Sequence, residues 1–272
     1  MSEKKKRVQF DKIVRDIKSV KIQGARNIAR QALKAYFLIP TNKSKRTLLK
    51  SRPTEPMMHR VLALAEKSVS YKKILEHFDD AQEKINKNIF KMIKQRDVVF
   101  THCHSTNVTN ALIYAHKHGK RFEVYATETR PLFQGRKTAR ELRKEGIKVT
   151  LFVDSGIGIA MSRGQGTKKV NAVFIGADAL TRYGIINKVG SELVARVAKS
   201  EKIPFYIVAD SWKFTKEKIK IEQRNLNEVW DNAPKKIKIK NPAFEFVDKK
   251  YITGVITELG LMGYGHFVRK MN

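Results

Sequence analysis

Val98-Val99-Phe100-Thr101-His102-Cys103-His104-Ser105-Thr106 holds the transition that decides the fold. Its apolar start is β-branched and aromatic and too short for a buried helix, so it reads as a strand. A polar loop follows at once, and then Val108, Ala111, Leu112 and Ala115 recur at helical spacing. The same sequence of strand, polar loop and helix returns downstream. Residues 122–126, 149–153, 170–175 and 205–208 are four more short apolar runs, and Val189, Leu193, Val194 and Val197 mark a further helix. Strands alternating with helices predict an α/β fold, a Rossmann-like doubly wound parallel sheet.

Upstream of Asp97 the rhythm is helical throughout. Ile13, Ile17 and Val20 make one stripe, which Ile28, Ala32 and Leu33 continue after Gly24. Residues 40–45 and the segment Ser51-Arg52-Pro53-Thr54-Glu55-Pro56 interrupt the pattern with turn formers. Leu75, Phe78, Ala81, Ile85, Ile89 and Met92 then share one face of a long amphipathic helix ending near Lys94. The chain therefore divides into an N-terminal helical domain, residues 1–95, and a Rossmann-like domain, residues 96–272.

Hydrophobic residues make up 42% of the 272, enough to bury a core and to exclude wholesale disorder. No apolar run approaches the roughly 18–20 residues of a membrane span. The charged start Met1-Ser2-Glu3-Lys4-Lys5-Lys6-Arg7 has no apolar stretch behind it, unlike a secretory signal. A single cysteine excludes an internal disulfide and fits a reducing, cytoplasmic location. The net charge is +30, and residues 1–50 hold 15 Lys and Arg against 3 acids. Such a surplus suits nucleic acid or ribosome binding, an anionic substrate, or simply a solvated lysine-rich surface. Against the first stands the absence of a zinc-ligand cluster, an aromatic RNA-binding strand pattern or a glycine–arginine tail.

Polar residues fall in register behind the strands: Thr101 to Thr106, Thr127-Glu128-Thr129-Arg130-Pro131, Asp154-Ser155-Gly156, Gly176-Ala177-Asp178 and Asp210-Ser211. Ligands of open α/β sheets bind outside the carboxyl ends of the strands, where helix N-termini favour phosphate. Ser105, Thr106 and Ser155 are candidate N-caps there. Cys103 reads either as a small buried hydrophobe or as a reactive group, and a strand end beside a helix start favours its thiolate. His102 and His104 flank it but alternate away from it, and the ligand count for zinc is not met, so no metal is expected. Asp178 is a functional acid or a cap. Asp154 and Asp210 read as caps, and Gly24 and Gly176 as turn residues.

Several of these motifs resemble one superfamily. Thr101-His102-Cys103, Glu128-Thr129-Arg130-Pro131-Leu132-Phe133-Gln134-Gly135, Gly176-Ala177-Asp178, Ile186-Asn187-Lys188-Val189-Gly190, Ile221-Glu222-Gln223-Arg224-Asn225 and Val255-Ile256-Thr257-Glu258-Leu259-Gly260 carry the likeness. The superfamily holds methylthioribose-1-phosphate isomerase, archaeal ribose-1,5-bisphosphate isomerase, and the regulatory subunits of initiation factor 2B with their archaeal relatives. Its fold, a helical domain followed by a Rossmann-like one, agrees with the division above.

The resemblance implies an aldose–ketose isomerase that converts ribose-1,5-bisphosphate to ribulose-1,5-bisphosphate, with Cys103 as a thiolate base and Asp178 as the acid. Arg52, in Arg52-Pro53-Thr54, and Arg130 would bind phosphate with the backbone N–H groups around Gly24 and Ala25. Asn187 and Lys188 would hold sugar hydroxyls or phosphate, and Ser105, Gln134 and Gly135 complete the implied binding set. No cofactor is implied. A homo-oligomer, dimer or hexamer, is. Two departures stand out: Gln23 occupies a position where the isomerases carry arginine, with Lys21 nearby, and the 178–187 loop is one residue short. The Gln23-Gly24-Ala25 pattern is more similar to the regulatory branch, whose members would bind a sugar phosphate or nucleotide and contact an initiation factor or the ribosome.

Overall fold

The computed structural model describes residues 1–162, 164–221 and 223–272. Glu222, within the Ile221 to Asn225 motif, lies outside them. Five helices come first: α1 (Glu3–Lys18), α2 (Ala25–Leu38), α3 (Asn42–Ser51), α4 (Pro56–Glu66) and α5 (Tyr71–Met92). Their starts follow local chemistry. The hydroxyls of Ser2, Thr41 and Ser70 cap α1, α3 and α5, Pro56 opens α4, and Gly24, at φ +82°, turns the chain into α2. Phe10, Ile17, Ile28, Leu33, Leu48 and Phe78 form the centre of a helical core.

The α/β part runs β1 (Val98–Thr101), α6 (Thr106–Lys117), β2 (Glu123–Thr127), α7 (Gln134–Lys144), β3 (Lys148–Phe152), α8 (Ile157–Met161), β4 (Ala172–Ile175), β5 (Ala179–Leu180), β6 (Gly184–Lys188), α9 (Ser191–Ser200), β7 (Phe205–Val208), β8 (Phe244–Asp248), β9 (Gly254–Thr257), β10 (Gly260–Met262) and α10 (Tyr264–Met271). The main sheet has the order β10-β9-β7-β4-β1-β2-β3. Its strands are parallel apart from β10, which returns antiparallel to β9. All five expected strands are present, with no end shifted by more than two residues and Phe205–Val208 unshifted. The expected helix of Val189 to Val197 starts only at Ser191.

Alternation along the strands buries both faces. Val99, Val124, Phe174, Val208 and Ile256 pack towards α6 and the second half of α5, whereas Phe100, Val173, Ile175, Ile207 and Val255 pack with α8, α9 and α10. Helix α5 serves two cores: Ile74 and Phe78 sit among the helices, and Ile85, Ile89 and Ile93 under the sheet. Burying an isoleucine or phenylalanine side chain is worth about 2–3 kcal/mol, so this helix ties the two parts together firmly.

A second, antiparallel sheet, β5-β6-β8, extends from the end of β4. The sequence pattern does not announce it. β5 is two residues long, and β6 is buried on every residue, so it shows no alternation. Gly184, in β6, lies so close to Val247 that an added Cβ would stand 2.0 Å from its carbonyl oxygen.

Candidate active site

The strand ends β1, β4 and β6 open into a cavity of about 310 Å³ whose far wall is the start of α2 and the link from α3 to α4. From the sheet side it takes Cys103, Ser105, Gly176, Asp178, Asn187 and Lys188. From the helical side it takes Gln23, Gly24, Ala25 and Arg52, and Gln134 comes from the start of α7. Ten of the implied site residues, together with Gly176, thus meet around one space.

Three do not reach it. Lys21 is exposed on the loop before α2, off the wall. Arg130 points away: its guanidinium donates to the Val229 carbonyl at 3.0 Å and lies 5.1 Å over the Phe133 ring. Gly135 is a packing residue, since a Cβ there would stand 1.7 Å from the Thr127 carbonyl oxygen.

Conversely, the cavity gains residues that the motifs did not single out as ligands: Arg26, Glu55, Lys137, Lys213 and Arg224. Arg224 belongs to a motif quoted for the resemblance, and Lys213 follows the Asp210-Ser211 loop; both signals were in the sequence. Six cations, Arg26, Arg52, Lys137, Lys188, Lys213 and Arg224, thus line the cavity against two carboxylates, Glu55 and Asp178. Arg52, Lys188 and Lys213 are buried. Burial pushes the Lys188 ammonium down, and the charge of Arg224 adds to that, while nearby Cys103, Glu228 and Asp178 oppose it. The Gln134 side-chain oxygen is buried on this wall without a protein hydrogen bond, an acceptor suited to a ligand hydroxyl.

Cys103 is the most constrained residue of the site. Its backbone lies in the left-handed region at φ +66°, uncommon for a side chain of any size. The Cys103 amide donates to Thr129 Oγ1 at 3.0 Å, and Thr138 Oγ1 donates to the Cys103 carbonyl at 2.9 Å. Desolvation pushes the thiol up to about 12, with the negative charges of Asp178 and Asp154 adding to it; the His104 backbone and Lys188 pull the other way. Burial thus works against the thiolate expected beside a helix start. At the start of α6 the Val108 amide is already served by the Ser105 hydroxyl.

The flanking histidines are structural. His102 is buried, and its Nε2 faces the Val189 carbonyl at 2.9 Å, so Nε2 carries the hydrogen and Nδ1 accepts from Thr127 Oγ1 at 2.5 Å. Burial holds its pKa down and keeps it neutral. His104 Nδ1 meets Thr138 Oγ1 at 3.0 Å, and its pKa is lowered to about 4 by desolvation and then by Lys137.

The caps are partly redistributed. Ser105 caps α6, and Asp210 accepts from Trp212 N at 2.9 Å and meets His77 Nε2 at 3.1 Å. Thr106 is the first helical residue instead, and Ser155 lies inside a single 3-10 turn. Asp154 does not cap its own turn. Its two oxygens accept from the amides of Thr129 (2.8 Å) and Arg130 (2.6 Å), which fixes the loop after β2. Gly176 has no left-handed backbone; it is small because Ser105 Oγ would stand 2.6 Å from its Cβ.

Comparison with known proteins places the chain as a whole. A ribose 1,5-bisphosphate isomerase of Archaeoglobus fulgidus is 34% identical over 279 residues, covering 90% of this chain and 86% of that protein. A methylthioribose-1-phosphate isomerase of Geotalea uraniireducens is 37% identical over 198 residues, 65% of this chain and 56% of that one. The crystal structure of the translation initiation factor eIF-2B of Pyrococcus horikoshii OT3 superposes with a TM-score of 0.80 at 25% identity, covering 93% of this chain and 96% of that one. Residues 40–263 match the model of the Initiation factor 2 subunit family, and the chain belongs to that family.

Proposed function

We propose that the protein is a sugar-phosphate isomerase and that its substrate is ribose-1,5-bisphosphate, converted to ribulose-1,5-bisphosphate. The observation that carries this reading is the meeting of Cys103 and Asp178 in a cavity with six cationic side chains. A substrate with two phosphates needs cations on more than one wall. Here Arg26 and Arg52 approach from the helical side, and Lys188, Lys213 and Arg224 from the other. The N–H groups at the start of α2, behind the uncapped Gly24, suit one phosphate. A methylthio substituent in place of the second phosphate would leave one of these cationic walls without an anionic partner.

The reaction requires an acid at the ring oxygen and a base at carbon two. With its proton on sulfur at rest, Cys103 begins as the acid and Asp178 as the base, the reverse of the order that the resemblance implies. The thiol protonates the ring oxygen as the bond from carbon one to that oxygen breaks, while Asp178 takes the carbon-two proton. The resulting enol then receives a proton on carbon one from Asp178 and gives its hydroxyl proton to the thiolate, which restores both groups. General acid and base steps of this kind contribute about 100- to 10,000-fold each.

Phosphorus NMR of the protein with ribose-1,5-bisphosphate tests this reading: ribulose-1,5-bisphosphate should form, and Cys103→Ser should stop it while thermal stabilisation by the substrate persists. Gln23 and the likeness to the Pyrococcus horikoshii factor favour one alternative, a non-catalytic regulator that binds a sugar phosphate or nucleotide. Stabilisation by the bisphosphate with no product would decide for it.

A further inference from the structure

We infer that Thr129 and Thr138 are positioning residues of the proton-transfer step, a clamp that holds Cys103 in its left-handed conformation opposite Asp178. This rests on the isomerase reading for its link to turnover, but not for its geometry.

The clamp is a directed chain of hydrogen bonds. Thr138 Oγ1 spends its one hydrogen on the Cys103 carbonyl at 2.9 Å, so the contact with His104 Nδ1 at 3.0 Å runs from histidine to threonine. On the other side Thr129 Oγ1 accepts from the Cys103 amide at 3.0 Å, and the Thr129 amide is itself held by Asp154 at 2.8 Å. Both polar groups of the Cys103 backbone are thus fixed by side chains from two other segments, the loop after β2 and helix α7. Thr129 and Thr138 are each 1% exposed, too buried to be tied up by solvent.

The arrangement has a cost that a purely structural turn avoids. Cys103 at φ +66° and Thr129 at φ +61° both occupy a region that glycine takes freely and other residues take rarely. Strained backbones of this kind persist where their surroundings over-determine them, as here. The gain is aim: with the backbone locked on both sides, the direction of the Cα–Cβ bond of Cys103 is set before substrate arrives.

Cys103 is the only cysteine in the chain, so its chemistry can be read alone, with or without turnover. Thr138→Val removes the donor at similar volume, and Thr138→Ser restores it. On the isomerase reading, Thr138→Val should lower kcat by roughly 100-fold, the scale of a misplaced catalytic group, with KM within about threefold. Thr138→Ser should recover most of the rate. Independently, the second-order rate of iodoacetamide on Cys103 should change at least about threefold in Thr129→Val and Thr138→Val at constant pH and return in Thr138→Ser. Equal alkylation rates in wild type and both valine variants, each folded by circular dichroism, would overturn the clamp. A changed alkylation rate in a protein that never turns over would keep the clamp and discard the isomerase. A parallel loss of kcat, KM and melting temperature that serine does not rescue would reduce the threonines to packing.

Discussion

Lys213 reaches from the turn after β7 to the carbonyl of Ala177, Nζ to O 2.6 Å, and so joins the end of β7 to the loop that carries Asp178. The lysine is 7% exposed, and the next residue upstream, Trp212, packs against the helical core. Asp210 caps this turn and meets His77 of α5. One short segment thus links the helices, the sheet and the Asp178 loop.

Replacing Lys213 by methionine should expose what that link does. A buried hydrogen bond from a charged group is worth about 1.5–3 kcal/mol, and the Ala177 carbonyl would be left without it. Denaturant unfolding should show a loss on that order, and turnover should fall further than stability alone explains. Unchanged kcat would separate Lys213 from the site.

Gly176→Ala offers a sharper steric test. The added methyl would lie 2.6 Å from Ser105 Oγ and 2.7 Å from Ser105 Cβ, so β4 and the start of α6 must move apart. Overpacking of this kind costs about 1–3 kcal/mol. Because both neighbours line the cavity, bisphosphate affinity should weaken along with the melting temperature. Gly24→Ala meets no atom within 4 Å and is disfavoured only by its backbone, φ +82° and ψ 128°, so it should cost about 1–3 kcal/mol.

The fold was legible where the chain alternates between two periods. The five central strands and the long helix α5 follow from short β-branched runs and a 3.6-residue stripe, patterns that burial enforces. The small sheet was not, because β5 is only two residues long and β6, buried on every residue, ends in the polar Asn187 and Lys188 and shows no alternation. At the site, the positions behind strand ends pointed to Cys103, Ser105 and Asp178, and the resemblance to Asn187, all of which line the cavity. The sequence misplaced Arg130 because direction depends on the loop: Asp154 pins its amide, and the guanidinium swings outward to Val229. It also missed how strongly burial works on Cys103, where desolvation is the largest influence on its ionisation.

That ionisation carries a pH signature. A thiol raised from 9 to about 12 on folding stabilises the protein fully below pH 9 and loses that contribution as pH rises towards 12. Stability should therefore decline between pH 9 and 12, and Cys103→Ser should flatten the part due to this group. Alkylation of Cys103 by iodoacetamide should be slow at pH 7 and should climb about tenfold per pH unit well past pH 9. Asp178→Asn, which removes a charge that raises the thiol, should move that curve to lower pH.

The assignment of Asp178 as the base can be tested apart from net turnover by following carbon two. In deuterated solvent, a base that removes the carbon-two proton and shares it with water lets deuterium enter the product. Asp178→Asn should abolish both product and washout of label from substrate tritiated at carbon two. Cys103→Ser keeps the carboxylate and leaves only a weakly acidic hydroxyl at the ring oxygen, so carbon-two proton removal should fall together with ring opening, to a trace that tritium washout detects below the limit of product detection. The opposite pattern, washout surviving in Asp178→Asn and lost in Cys103→Ser, would make the sulfur the base. A proton would then have to leave Cys103 when the bisphosphate binds, and the thiol's high resting pKa would describe only the unliganded site.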